Sequence, residues 1–142
     1  MQIKKVSCSV VGFGDQVYVF GGKSDRESYL DQVEIYRDEL WQLCSVKLKV
    51  PSYNLGAFAV SEHMLLLCGG IQQTGGISNK AYIFQLTEET LQELKMDKID
   101  FYPNQGSMVV QDKVGENEFL NLLVLKGARE HQIFDLETMQ FK

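Results

Sequence analysis

The chain has 142 residues, of which 44% are apolar and 23% charged, and its formal net charge is −5. This apolar content argues against disorder over most of the length, and every apolar run is far shorter than the roughly 20 residues that cross a bilayer as a helix. The acidic balance disfavours a nucleic-acid partner, because binding to phosphates needs basic patches. We therefore expect neither a membrane nor a nucleic acid as a partner.

The cysteines and histidines give no sign of a metal centre. Cys8, Cys44 and Cys68 are widely spaced in apolar stretches, which disfavours a disulfide framework and indicates a reducing, cytoplasmic setting. His63 and His131 lie far from any paired ligand, so we expect no metal and no other cofactor.

Patterns typical of a catalytic site are also missing from the sequence. The stretch Gly69–Gly76 lacks the Lys-Ser/Thr pair of a phosphate-binding loop, and no Gly-x-Ser-x-Gly elbow occurs. Most carboxylates fall at expected turns, whereas acid–base catalysis needs carboxylates that converge in a pocket. We therefore name no catalytic residue and expect a protein that is not an enzyme.

The first part of the chain, at about residues 6–46, alternates short strands with turn residues. The elements in order are the strand Val17–Phe20, the pair Gly21–Gly22, the polar loop Lys23–Asp31, and the strands Val33–Tyr36 and Leu40–Leu43. Runs rich in Val, Ile, Phe and Tyr that are bounded by Gly, Asp, Asn and Ser are typical of strands and turns.

The same order returns at an offset of 48 residues, at about residues 54–96. Its elements are a leading strand, a strand with its glycine pair, a polar loop and two more strands: Gly56–Val60, Leu65–Gly70, Ile71–Lys80, Ala81–Phe84 and Leu91–Leu94. Thr87–Ile99 is the best candidate for a helix in the chain, but the repeat favours a turn and a strand there.

A third, looser copy occupies about residues 104–142. It begins with the strand Gly106–Val110 and the charged turn Asp112–Glu118, and Phe119–Gly127 follows with Lys126 in place of the first glycine. The next loop is shortened to Ala128–Glu130. In the last segment, Gln132–Phe141, Met139 is expected at the position of Trp41.

These repeats resemble the kelch repeat, the four-stranded blade of a β-propeller. The features that carry the resemblance are glycines at the end of a strand, an aromatic residue in the next long strand and a tryptophan soon after it: Gly21, Gly22, Tyr36, Trp41, Gly69, Gly70, Phe84, Gly127 and Phe134. The resemblance implies an all-β fold of about three blades, each with four antiparallel strands. It covers essentially residues 1–142.

The resemblance also implies a non-catalytic module that binds a protein partner through loops on one propeller face. Such modules serve as adaptors, for example in substrate recognition by ubiquitin ligases, or as cytoskeletal scaffolds. The loops that this carries over are 23–31, 71–80 and 128–130 within blades and 47–54 and 97–105 between blades. The candidate contact residues in or beside these loops are Arg26, Tyr29, Tyr53, Asn54, Gln72, Asn79, Tyr102, Asn104 and Arg129.

Two alternatives stay open at this point. One is a propeller enzyme with its site in the central channel. The other is a structural subunit that closes a ring by oligomerisation, because closed propellers have about four to eight blades and three are too few. On the same argument, the chain is either part of a longer propeller or an obligate homo-oligomer.

Overall fold

The computed structural model describes residues 1–25, 28–95, 109–113, 119–125, 131–135 and 138–141, and for residues 109–134 and 141 it describes the backbone alone. Over these residues the ordered elements are β-strands and turns, which confirms the expected all-β fold. The described part of the chain contains no helix that is long and apolar enough to span a bilayer.

Blade 1 is a four-stranded antiparallel sheet with the strand order β2-β3-β5-β6. The strands of this part of the chain are β1 (Lys5–Val6), β2 (Ser9–Phe13), β3 (Gln16–Phe20), β4 (Lys23–Ser24), β5 (Gln32–Arg37) and β6 (Leu40–Lys47). Consecutive long strands are neighbours, so the sheet is a meander in which alternate residues face opposite sides.

Blade 2 repeats this arrangement with the strand order β8-β9-β11-β12. Its part of the chain holds β7 (Ser52–Tyr53), β8 (Gly56–Ser61), β9 (Met64–Cys68), β10 (Ile71–Gln72), β11 (Ala81–Gln85) and β12 (Thr90–Glu93). The described portion of Thr87–Ile99 is a turn followed by β12, as the repeat predicted.

Blade 3 contains β13 (Val109–Lys113), β14 (Phe119–Leu125), β15 (His131–Asp135) and β16 (Gln140–Phe141), paired in chain order. Two expectations for this blade are wrong. Asp112 and Lys113 belong to β13, so the strand runs into the expected charged turn. Phe134 pairs with Phe141, as Tyr36 pairs with Trp41 and Phe84 with Leu91, so the position of Trp41 is taken by Phe141 and not by Met139.

Blades 1 and 2 are joined by an apolar core. The facing side chains of blade 1 include Tyr18, Phe20 and Ile35, and those of blade 2 include Leu65 and Phe84. The ring of Phe84 is fully buried and meets the rings of Tyr18 and Phe20 edge-on, at 5.9 and 5.5 Å between centroids. Replacing such an aromatic with alanine costs about 3–5 kcal/mol, so this contact fixes the two blades relative to each other.

The opposite face of blade 2 forms a second core with Val60, Leu66, Cys68, Ala81 and Ile83. The partly buried Met139 of blade 3 packs against it. Blade 2 thus packs against blade 1 with one face and against Met139 of blade 3 with the other, because the side chains of a strand alternate between the two faces.

The glycine pairs stand where the chain leaves β3 and β9. Gly21 and Gly22 have φ values of +58° and +104°, in a region that side chains rarely adopt. A Cβ on Gly21 would also collide with the carbonyl oxygen of Ser52, in the segment that leads into blade 2. A Cβ on Gly70, at φ +89°, would lie 2.9 Å from Leu55 Cβ and 3.1 Å from the carbonyl oxygen of Tyr53, which is also too close without a shift. The pairs therefore allow the inter-blade segment to pass close to the sheet.

The other face of blade 1 is partly covered by residues at the start of the chain. The ammonium group of Lys5 lies 2.8 Å from the Glu34 carboxylate, and both side chains are 0% exposed. Glu34 Oε1 also accepts hydrogen bonds from the backbone N–H groups of Gln2 and Ile3, at 2.6 and 3.3 Å. Burial alone would raise the pKa of Glu34, but Lys5 and the two N–H groups outweigh it and hold the pKa below its ordinary value.

Candidate functional site

The candidate site lies at the end of the blades where the long loops are, and it is built from two rows of side chains. In blade 1, β1 pairs with β4 so that Val6 faces Lys23, and Lys23 in turn bridges to Tyr29. Residues that pair directly across strands project to the same side. Val6, Lys23 and Tyr29 therefore form one row, in which Val6 is 59% exposed.

Blade 2 carries the equivalent row. There β7 pairs with β10 so that Tyr53 faces Ile71, and Ile71 bridges to Ile77. Ile77 is 43% exposed, while Tyr53 and Ile71 are half-buried. We name the two rows together the loop strip: Val6, Lys23, Tyr29, Tyr53, Ile71 and Ile77.

The two rows meet through an aromatic pair with a cation beside it. The rings of Tyr29 and Tyr53 pack at 5.2 Å between centroids and at an angle of 64°. The ammonium group of Lys23 lies 5.0 Å from the Tyr29 ring and 4.1 Å from the Tyr53 ring. An edge-on aromatic pair contributes about 0.5–1.5 kcal/mol beyond the area it buries, and the cation adds to it. The strip is therefore one continuous surface across two blades.

Backbone hydrogen bonds hold the segments beneath the strip in place. The N–H of Gly22 donates to Ser52 O at 2.9 Å, and the N–H of Ser52 donates to Leu30 O at 3.1 Å. In the second row, the N–H of Gln72 donates to Gly76 O at 2.9 Å and the N–H of Ser78 to Gly70 O at 2.8 Å. Loops that are fixed in this way lose little further entropy when a partner binds.

Of the contact residues predicted from the sequence, Tyr29 and Tyr53 come together in the strip. Gln72 is half-buried beside Ile71, and Asn79 is exposed farther along the same loop. Asn54 is half-buried at a φ of +54°, and its N–H donates to Ser7 O at 2.9 Å, so its backbone has a structural role. Arg26, Tyr102, Asn104, Arg129 and the repeat glycine Gly127 lie outside the described residues, and of Phe134 only the backbone is described.

Sequence reasoning missed four members of the strip, namely Val6, Lys23, Ile71 and Ile77. A usable signal was the repeat itself, because Val6 and Tyr53, Lys23 and Ile71, and Tyr29 and Ile77 occupy equivalent positions in the two ladders. The two-residue strands that place these side chains are too short to show alternation in the sequence.

The buried thiols of Cys44 and Cys68 are poor nucleophiles in this environment. Burial raises the pKa of Cys44 to about 11 and raises that of the fully buried Cys68 further, so both stay protonated near neutral pH. All three cysteines of the chain are free thiols. Within the described ranges, no group of three or more His, Cys, Asp or Glu side chains has the arrangement of a metal site.

Comparison with known families agrees with this geometry. Residues 4–42 match the family model described as Kelch motif. The matched stretch begins just before β1, includes the Gly21–Gly22 pair and ends within β6, so it contains the first row of the loop strip. No curated protein matches the chain. The resemblance drawn from the sequence is therefore confirmed for the first blade: residues 4–42 are a kelch motif, and the two four-stranded antiparallel sheets that follow are consistent with kelch-type propeller blades.

Proposed function

We propose that the chain is a non-catalytic protein-interaction module that binds a protein partner through the loop strip. The kelch motif is in general a protein-interaction module. The observation that carries the proposal is the strip itself, since apolar and aromatic side chains stay accessible on a hydrogen-bonded frame. Tyrosine is enriched among the residues that dominate binding energy, and exposed apolar patches mark interaction sites.

The composition of the strip favours a partner with an apolar segment over a highly charged one. Val6 and Ile77 stand at its two outer ends and offer the most accessible apolar surface, at 59% and 43% exposure. Tyr29 and Tyr53 between them are held by each other and by Lys23, so the partner would meet a preformed surface.

An adaptor or scaffold role in the cytoplasm fits these features. The three free thiols are compatible with a reducing compartment. Both roles require a surface that binds a partner without catalysing a reaction, and the buried thiols contribute no nucleophile. Substrate recognition for a ubiquitin ligase and cytoskeletal assembly are two such roles.

Affinity capture from cells that express the chain tests the proposal. The test variant is Val6→Ser/Ile77→Ser, which removes apolar surface from both ends of the strip. The matched control is Leu40→Ser, because Leu40 is also an exposed apolar residue, at 63%, but lies at the opposite end of blade 1. We expect the proteins recovered with the wild type to be depleted about tenfold with the test variant and retained with the control.

Thermal melting of each variant accompanies the capture, so that a loss of folding is recognised as such. Equal recovery by the wild type and the test variant, with both folded, would place the binding surface elsewhere. Depletion by Leu40→Ser instead would place the binding surface at the end of the blades opposite the loop strip.

A further inference from the structure

A recess lies between blades 1 and 2 at the end opposite the loop strip. At this end, the turns Gly14–Asp15 and Glu62–His63 close the first hairpins of the two blades, and Leu86–Glu89 closes the last hairpin of blade 2. The recess, which we name the turn cleft, has a volume of about 380 Å³. That volume falls within the range of roughly 300–1,000 Å³ that is typical of ligand pockets.

The lining of the turn cleft combines apolar and acidic residues. Phe13, Tyr18 and Leu86 line it together with Asp15 and Glu62, and the other lining residues are mostly polar. Such a combination suits a side chain that carries a cation on an apolar stem, because the stem can pack on the apolar residues while the carboxylates bind the charge.

The hydroxyl of Tyr18 reinforces this selectivity. Tyr18 is 3% exposed, and its hydroxyl donates its proton to Gln16 Oε1 at 2.6 Å. Toward a ligand, this oxygen therefore offers lone pairs and acts as an acceptor. A buried acceptor in the lining favours a ligand that brings N–H donors.

Arg37, which lines the cleft, is already engaged. Arg37 donates from its NH1 group to Glu89 Oε1 at 2.9 Å and from Nε to Gln42 Oε1 at 3.1 Å. The positive charge of Arg37 is thus matched by Glu89. The carboxylates of Asp15 and Glu62 therefore dominate the electrostatic potential of the cleft, with His63 beside them.

The surrounding turns add negative charge. With Glu89 paired to Arg37, the turns at this end of blades 1 and 2 hold five further acidic residues against His63: Asp15, Asp38, Glu39, Glu62 and Glu88. Such a concentration of one sign attracts a basic partner over a distance of about a Debye length.

We infer that the turn cleft is a second recognition site, which takes the arginine side chain of a basic peptide segment on a protein partner. The guanidinium group would bind between the carboxylates of Asp15 and Glu62, and its stem and plane would pack on Phe13 and Tyr18. The site is separate from the loop strip, so the two surfaces can bind different partners.

Fluorescence anisotropy with a short labelled peptide tests the inference. The probe carries one arginine among glycines and serines, and the control peptide carries citrulline, which keeps the shape but lacks the charge. The test variant is Asp15→Asn/Glu62→Gln, and the matched variant Asp38→Asn/Glu39→Gln removes the same charge from a turn outside the cleft.

We expect saturable binding of the arginine peptide, about tenfold weaker binding of the citrulline peptide and a similar loss in the test variant. The matched variant should change the affinity less than about twofold. An equal loss in both variants would mean general attraction to an acidic surface, and equal binding of the two peptides would overturn the inference even if the test variant failed to fold. Val6→Ser/Ile77→Ser should bind the peptide normally, so failure at the strip and failure at the cleft are distinguishable.

Discussion

Glu34 is a charged residue at a position where the sheet face is otherwise apolar. It stands in the row Val10–Val19–Glu34–Leu43 across blade 1, and it is completely buried with Lys5. Taking two charges out of water is costly, and the gain from pairing them only roughly repays it. The pair therefore contributes less to stability than its geometry suggests, but the loss of one partner leaves the other uncompensated.

Removing one partner of the Lys5–Glu34 pair should lower the free energy of unfolding far more than replacing both partners with apolar residues. Glu34→Gln leaves Lys5 buried without its counterion, and we expect the free energy of unfolding to fall by about 3–5 kcal/mol. The double variant Lys5→Met/Glu34→Leu should recover most of that loss, as measured by urea denaturation at neutral pH. A double variant as unstable as Glu34→Gln would show that the shape of the pair matters more than its charge.

The same pair makes stability depend on pH in a defined direction. Because the folded-state pKa of Glu34 lies below its ordinary value, its contribution is fully present above an unfolded pKa of about 4.3 and is lost as the pH falls through the folded pKa. The difference in unfolding free energy between the wild type and the double variant should therefore be constant from neutral pH to about pH 5 and shift against the wild type below that. A flat difference down to pH 3 would contradict this assignment.

Among the elements, the hairpin between β5 and β6 has an unfavourable turn. Asp38 and Glu39 are its two central residues, with φ values of +51° and +60°. Positive φ values at both central residues define the type I′ turn, whose backbone twist matches that of the two flanking strands. This turn type strongly prefers glycine at its second central position. Glu39 therefore holds a strained conformation that glycine would adopt freely.

Glu39→Gly should stabilise the protein by roughly 1 kcal/mol, because relief of the strain outweighs the added entropy of the unfolded chain. The first hairpin of blade 2, between β8 and β9, also has a two-residue turn and supplies the control. His63 is the second central residue there and does not have a positive φ, so His63→Gly should destabilise. Thermal melting of both variants measures the opposite signs, and equal shifts would refute the argument.

The sequence predicts elements better than it predicts their junctions. The alternation of apolar residues and the glycine pairs located the strands of blades 1 and 2, because these features reflect local geometry. The pairing of Phe134 with Phe141 was missed because the last hairpin of blade 3 is two residues longer than that of blade 1, and counting along the sequence assumes equal turns. Tyr29 and Tyr53 were predicted separately, and their contact depends on the path between blades.

At the scale of the whole molecule, equivalent sheet faces of blades 1 and 2 differ in how far they are buried. In blade 2 the face that carries Leu65, Phe84 and Leu91 packs against blade 1. The equivalent face of blade 1 carries Val10 and Leu43, which are 57% and 48% exposed. We propose that this accessible apolar face is an interface for a further blade, supplied by another copy or by a longer chain.

We expect the isolated chain to associate with itself through this face. The weight-average sedimentation coefficient should rise with concentration in the micromolar range, and Val10→Lys/Leu43→Lys should abolish the rise. Leu40→Lys is the control, because it places a charge on an exposed residue that faces the other side of the sheet. A monomer at all concentrations would leave a longer propeller as the explanation.

The close passage of the inter-blade segment over Gly21 also bears on how such a protein evolves. Since Ser52 and Tyr53 precede blade 2 yet lie on the loop of blade 1, a duplicated unit brings both a sheet and a new row of side chains that packs against the row before it. Recognition surface is thus inherited together with architecture. On the proposed function, a lineage that gains or loses a unit would change its range of partners in the same genetic event, and divergence of a single row would alter specificity without disturbing the fold.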